Sequence, residues 1–373
     1  MKILKKILRK IANDEEGFLR NYVSQKLPYY FYKRNLKKTI GNNKCKLPLD
    51  YRRKIKKFWK EKLNISVSTK GFEYFYISGI KDCESYIPED IFFKYFIRKL
   101  NKFSLAYAYA DKNVYSKLFP NTNMPKSVIR NINGRFFNEN YEFLTQNDAL
   151  NIFHDEIRNN NLIIKPSIDS GSGKNVCLIR YSDFPNNLSI NDYIISILNK
   201  YKKDFIVQRF LKQSDLLNLI YPHSLNTIRI ISFETDGKIE ILASILKMGN
   251  NSNYLDKVSM GGLSCGINFE GKLNDFAYSS DNSNPHYTHP QTNFVFKNTV
   301  IPNFQEALDL VKKLHINLSP NFRFVSWDIA FDSTNSPVLI EVNLKKQGVM
   351  LPQLNCGPLF GDGLSHVIDY IKK

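Results

Sequence analysis

The chain reads as an α+β protein, and three observations predict that class. Short Val-, Ile- and Phe-rich runs bounded by turn residues recur beyond residue 160. Stretches of helical period fall between them without the regular spacing of βαβ units, so mixed sheets are expected. The first 110 residues instead look mainly helical, with aromatic connections such as Phe72-Glu73-Tyr74-Phe75-Tyr76 and a break at Pro88.

Taken in order, the expected parts are a basic helical region over 1–110, a first α+β subdomain over 111–204 and a second over 205–373. Asp111-Lys112-Asn113 starts a short helix, and Pro120 and Pro125 mark a loop. Asn161–Ser167 and Val176–Arg180 are strands around a Gly-Ser loop. Asn191–Lys200 is a helix and Asp204–Phe210 a strand. Thr227–Phe233 and Glu240–Leu246 turn at Thr235-Asp236-Gly237. A polar loop fills 249–262, Gln305–His315 is a helix, and a terminal helix begins near Leu364. Ser326–Phe331 and Val338–Val342 flank Asp-Ser-Thr-Asn-Ser-Pro, which is turn chemistry, and read as an antiparallel hairpin.

Composition narrows the function. At 373 residues and 43% hydrophobic, the chain has material for two or three domains and a sizeable core. No apolar run reaches about 18 residues, the length a membrane-spanning helix needs. Lysines interrupt the N-terminal apolar positions, so no secretory leader is expected. Five scattered cysteines (Cys45, Cys83, Cys177, Cys265, Cys356) without a CxxC argue against a disulfide framework or zinc site and fit a reducing cytoplasm.

The net charge of +18 is concentrated. Residues 1–70 hold 21 Lys+Arg against five Asp+Glu, and the rest hold 32 against 30. Ile3, Leu4, Ile7, Leu8 and Ile11 share one helical face, with Lys2, Lys5, Lys6, Arg9 and Lys10 on the other. Residues 1–12 can therefore lie on an anionic membrane surface, or pack on the protein with a solvated lysine face. No nucleic-acid motif accompanies the charge, and no nucleic-acid partner is expected.

The hairpin carries the sharpest chemical signal. If Phe331 faces Val338, Asp328 lies opposite Glu341, with Cβ atoms about 5 Å apart, and Asn343 shares their face. Two carboxylates so placed repel by about 3 kcal/mol at an effective dielectric of about 20. A proton, a cation or a slipped register must relieve them; three oxygen donors on one face suit Mg²⁺. Arg229, between Ile228 and Ile230 on a strand, wants an anion, either a phosphate or a salt-bridge partner, and Lys247 ends the next strand. The loop after Lys165-Pro166 is not a P-loop, because Ile168 and Asn175 stand where Gly and Ser/Thr belong. A long Gly-containing polar loop ending in Ser259-Met260-Gly261-Gly262 has the texture of a lid. His286 and His289 lack a third metal ligand, and Arg130 and Arg135 offer guanidiniums to a substrate carboxylate.

Together, ADKNVYSKLFP, IIKPSIDSGSGKNV, PHSLNTIRI, KVSMGGLSCGIN and SWDIAFDSTNSPVLIEVN resemble the ATP-grasp superfamily, and within it the sugar-transfer-associated ATP-grasp family, over roughly residues 50–360. The resemblance implies an ATP-grasp fold, in which two α+β subdomains clamp ATP. It implies that Lys112 and Lys165 contact the α- and β-phosphates beneath Ser170, Gly171, Ser172 and Gly173. It places adenine against Gln208, Arg209 and Phe210, the ribose on Asp215, and one or two Mg²⁺ on Asp328, Glu341 and Asn343. Better-known peptide-ligase members carry Arg where this chain has Ser326, so the γ-phosphate is assigned to Arg229 and Lys247. Arg130, Asn226, Ser259, Gly261, Gly262 and His289 are the acceptor-site candidates.

The implied reaction is ADP-forming ligation of a small carboxylate, such as a sugar acid, to an amine through an acyl phosphate, serving surface polysaccharide (capsule or O-antigen) biosynthesis. The implied location is cytoplasmic, with peripheral contact at the inner face of the membrane. The alternatives are a phosphotransferase acting on a hydroxyl and a non-catalytic membrane-surface scaffold.

Overall fold

The computed structural model describes residues 47–168, 175–184, 189–250, 261–279, 285–318, 320–345 and 347–373. The basic segment 1–12 lies outside them. The chain divides into two compact units, one running to Ile97 and rejoined by Phe360–Lys373, the other Arg98–Leu359.

The described part of the first unit is helical. Helix Leu49–Leu63 buries Ile55 and Trp59 and turns its lysines outward. Trp59 meets Phe96 edge-on at 6.2 Å, and Phe96 stacks on Phe360 at 5.9 Å. The C-terminal helix Leu364–Lys372 adds Leu364, Val367, Ile368 and Ile371. Pro88 ends the preceding loop as the N-cap of the next helical turn, Glu89–Ile91, where its own missing N–H falls outside the helical ladder.

Among the described residues the second unit holds twelve strands: β1 (Ser127–Ile132), β2 (Arg135–Phe137), β3 (Phe143–Leu144), β4 (Leu162–Pro166), β5 (Cys177–Ile179), β6 (Phe205–Arg209), β7 (Thr227–Thr235), β8 (Lys238–Met248), β9 (Leu263–Ile267), β10 (Leu273–Ser279), β11 (Phe324–Phe331) and β12 (Pro337–Asn343). They form two six-stranded sheets, ordered β3-β2-β1-β6-β4-β5 and β10-β9-β8-β7-β11-β12. Every pairing among the described strands is antiparallel, not mixed as the sequence suggested. Strand β6 belongs to the first sheet, just past the boundary expected at residue 204.

Alternation decides what each sheet covers. In the first sheet Leu162, Ile164, Phe205 and Val207 bury against the helices Gln146–Asn159 and Ile190–Tyr201. Ile163, Lys165, Ile206 and Gln208, the intervening residues, take the opposite face. Helix Gln146–Asn159 starts at a capping box in which Thr145 and Asp148 satisfy each other's backbone N–H groups. In the second sheet Ile228, Ile230, Val325, Trp327 and Ile329 pack on helix Phe304–Asn317. The remaining face carries Arg229, Lys247, Asp328, Glu341 and Asn343. No helix among the described residues is long and apolar enough to cross a membrane.

Candidate active site

The hairpin turn is closed by Asp332, whose Oδ1 accepts from the N–H of Thr334 (2.9 Å) and of Ser336 (3.0 Å). From it the strands pair Phe331 with Pro337 and Ile329 with Leu339. That register is one residue off the expected Phe331–Val338 anchor. A β-bulge at Ile340 then restores it, so that Asp328 faces Glu341 and Ser326 faces Asn343. Without the extra residue Asp328 would oppose Ile340, and both β12 polar side chains would turn away.

The two carboxylates are quenched by protein cations. Arg229, the cross-strand partner of Asp328 on β7, donates Nε to Oδ1 and an Nη to Oδ2, each at 2.9 Å. Lys247 Nζ reaches the same Oδ2 at 3.2 Å. Burial alone would raise the Asp328 carboxyl, which is 4% exposed, but Arg229 and Lys247 together outweigh it and hold it well below the usual range. Lys112 Nζ donates to Glu341 Oε1 at 2.7 Å. Lys112 is held by its own turn: Asp111 accepts from Asn113 N–H, and the Lys112 N–H donates to Ser167.

Lys165 differs from the other three cations. Its ammonium makes no hydrogen bond or ion pair among the described residues, although the residue sits half-buried on β4. Burial and the neighbouring Lys112 depress its ammonium to about 8, with Glu341 opposing them. Lys112, Lys165, Gln208 and Arg130 line one cavity of about 260 Å³, whose apolar part is Phe119, Met124, Leu339 and Ile340. Among the described residues, Lys112, Lys165, Arg229 and Lys247 gather around the carboxylates of Asp328 and Glu341.

Other expected site residues are placed differently. Arg209 turns to the helix face, where Nε and an Nη grip Glu156 at 2.7 Å each. The Arg209 and Phe210 N–H groups bond to Lys126 and Asn161 carbonyls. Gln208 donates its amide to Pro125 O at 3.1 Å, and Asp215 is exposed at the start of a short helix. Arg130 is a brace, not an open anion contact. It donates to Asn113 O (2.9 Å) and Ser116 Oγ (3.0 Å) and lies on the Tyr141 ring.

Asn226 is fully buried, giving both amide hydrogens to the Leu217 and Tyr221 carbonyls, which leaves none for a substrate. His289 is likewise buried, with Nε2 on Gly249 O and Nδ1 accepting from Gln291 N–H; neither ring nitrogen is left for a substrate or a metal. Gly261 takes φ +92°, and its carbonyl accepts from the Asn250 side chain. Gly262 is buried beside it. Ser170–Gly173 and Ser259, with most of the expected lid, lie outside the described residues.

Two residues escaped the sequence reading. Tyr115 Oη accepts from the Val342 N–H at 3.1 Å and so fixes β12 beside Glu341. Its signal was only its place three residues after Lys112. Ser326 Oγ and Asn343 Nδ2 are buried without hydrogen-bond partners on facing positions of the hairpin. Ser326 was visible in the sequence only as a departure from an expected Arg.

The antiparallel sheet pair, with Lys112 and Lys165 on one side and Asp328, Glu341 and Asn343 on the other, has the architecture of the ATP-grasp fold. A family model described as sugar-transfer associated ATP-grasp matches residues 92–373, and the chain belongs to that family. No curated protein matches the chain. Among solved structures it is similar to D-cycloserine synthetase DcsG, with 12% identity and a TM-score of 0.43 over 73% of this chain and 72% of that one. It is also similar to the ATP-grasp ligase PsnB complexed with minimal precursor, Mg and ADP, at 13%, 0.38, 72% and 61%. N5-carboxyaminoimidazole synthetase from Staphylococcus aureus complexed with ADP gives 9%, 0.36, 63% and 43%.

Proposed function

We propose that the chain is an ATP-dependent ligase that joins a small carboxylate to an amine through an acyl phosphate. The observation that carries this reading is Lys165, a half-buried ammonium without an anion partner among the described residues, on the wall of a cavity it shares with Lys112. Holding such an ammonium in a half-buried site is costly until an anion meets it, and a nucleotide's phosphates would do so. The apolar wall of Phe119, Met124, Leu339 and Ile340, close to Gln208, suits a flat base.

Asp328, Glu341 and Asn343 fit Mg²⁺ as a hard-oxygen donor set on one sheet face, Asn343 through its amide oxygen, while its unpartnered amide nitrogen is a donor suited to a phosphate oxygen rather than to the metal. One or two such ions would neutralise phosphate charge when bound. Lys112 and Lys165 are assigned the inner phosphates, and Arg229 with Lys247 the terminal one.

The substrate carboxylate attacks the γ-phosphorus, forming acyl phosphate and ADP. The amine then attacks the acyl carbon, the C–N bond forms, phosphate departs with the C–O bond, and the amine sheds a proton. Positioning and charge neutralisation supply the rate. No nucleophilic side chain is needed, which agrees with thiols at Cys83 and Cys265 that burial pushes up to about 12. The family description favours a sugar acid or its nucleotide-linked form as the carboxylate, for a surface polysaccharide. The basic segment 1–12 would suit membrane-proximal intermediates.

The test is ADP release with Mg²⁺ across sugar acids paired with amino acids and small amines, with hydroxylamine as a trap. A hydroxamate is expected whenever the right acid is present. ADP formation that depends on substrate but never yields a hydroxamate would move the reading to phosphoryl transfer onto a hydroxyl.

A further inference from the structure

We infer that in the resting protein Asp328 and Glu341 are closed to free divalent metal by Arg229, Lys247 and Lys112, so that metal and nucleotide must enter together. This rests on the nucleotide reading above and goes beyond it: it concerns which form of the ligand the site accepts.

The occupancy of the oxygens carries the argument. Asp328 Oδ1 accepts from Arg229 Nε, and Oδ2 accepts from both an Arg229 Nη and Lys247 Nζ, so three of the roughly four lone-pair positions on this carboxylate are taken. The bidentate fork is the strongest geometry such a pair adopts. Glu341 is held less completely: Lys112 takes Oε1 at 2.7 Å, and Oε2 makes no hydrogen bond among the described residues. An entering metal must displace these contacts and approach three cations already in place, with Lys165 close behind.

A polyphosphate changes the balance. It offers those cations replacement anions, and as they turn toward it the carboxylate oxygens come open. Metal and nucleotide thus share the same three side chains, and that shared dependence is a coupling free energy between two ligands. The protein would select the metal–nucleotide chelate over either component, and an unproductive resting metal complex would not form.

Mn²⁺ binding without nucleotide, followed by electron paramagnetic resonance, tests this directly. Removing a latch cation should improve metal binding. Lys247→Met is expected to bind Mn²⁺ about tenfold more tightly than wild type, since it opens the more fully occupied carboxylate. Lys112→Met should gain less, because Glu341 already has an open oxygen. Lys165→Met removes the same charge from the same neighbourhood without freeing any carboxylate contact, and should gain least. Thermal melts confirm that each variant is folded. Arg229 is left intact, because stripping the fork would leave Asp328 buried and uncompensated.

Wild-type protein that binds Mn²⁺ alone as tightly as Lys247→Met overturns the inference, as does an equal gain from Lys165→Met. Retention of labelled ADP at saturating Mn²⁺ is measured in parallel. Its absence from wild type would remove the nucleotide reading, and a persisting gain in Lys247→Met would then mark a plain metal site guarded by a lysine.

Discussion

Arg209 grips Glu156 through Nε and an Nη at 2.7 Å each, and Arg229 grips Asp328 through the same two nitrogens at 2.9 Å each. Bond for bond the pairs are nearly alike; their surroundings are not. Arg209 and Glu156 lie on the helix side of the first sheet, 37% and 20% exposed, where each charge cancels the other. Arg229 and Asp328, at 21% and 6%, share their corner with Lys247, and Lys112, Glu341 and Lys165 stand nearby. The first pair stands by itself, whereas the second lies beside Lys165, an ammonium with no anion partner among the described residues. Geometry alone would rank the two arginines together, and what separates them is the further cations that Arg229 has for neighbours.

The comparison predicts its largest effect on turnover. Asp328→Asn should lower ADP formation by roughly 10²–10³-fold, the range seen when one pre-set charge contact is lost from an active site. Glu156→Gln should leave ADP formation at the wild-type rate and cost about 1 kcal/mol of stability, the value of a partly exposed charged pair. Steady-state kinetics and urea denaturation of both variants check this. Equal losses of activity would erase the distinction between the two pairs.

Next in size is Lys165, whose ammonium has no anion partner among the described residues. Lys165→Met should raise KM for ATP by roughly 10–100-fold, with a smaller change in kcat, if it binds phosphate before and during transfer alike. Its pH behaviour has two opposite signs. Phosphate prefers the ammonium, which the free protein loses near pH 8, so ATP affinity should fall as pH rises through about 8. Stability should move the other way. Below pH 8 the group is charged in both folded and unfolded chains, at a burial cost. Between about 8 and 10.5 the folded chain has released a proton that the unfolded chain keeps, so stability rises with pH. Lys165→Met should lose both trends; calorimetry with a non-hydrolysable nucleotide and urea melts across pH 7–10 read them separately.

How much of this was legible follows from what kind of contact each residue makes. Asp328 and Glu341 were found from turn chemistry and strand alternation, which are local. The register anchor was off by one because a bulge at Ile340 leaves no mark in an apolar run. Strand β1 went unread because Arg130 and Asn131 interrupt Ser-Val-Ile-Arg-Asn-Ile, and β9 because it is buried on both faces and has no alternation. Helix Gln146–Asn159 was signalled by Thr145 and Asp148, and that capping box was passed over. Arg130, Asn226 and His289 looked like substrate contacts because a polar residue in a sequence seems unpartnered. Their partners are mostly backbone carbonyls, invisible to side-chain patterns.

The smallest effect lies on the acid side of the stability curve, where both pairs contribute. The bond from Arg209 holds the Glu156 carboxyl low, against partial burial. Asp328 is held low only because two cations overcome a burial that would raise it. For each, the contribution is present above the unfolded carboxylate range near pH 4 and is lost as pH falls through the folded value. Glu156→Gln should flatten the acid limb by at most about 1 kcal/mol. Lys247→Met should act in the same direction from the site side. With one of its two cations gone, the folded-state carboxyl of Asp328 moves back up toward its unfolded value, so less stability is lost as pH falls and the limb flattens. Urea melts between pH 3 and 6 measure both. An acid limb in Lys247→Met identical to wild type would mean that the arginine fork alone holds the carboxylate, and that Lys247 is present for the ligand rather than for the fold.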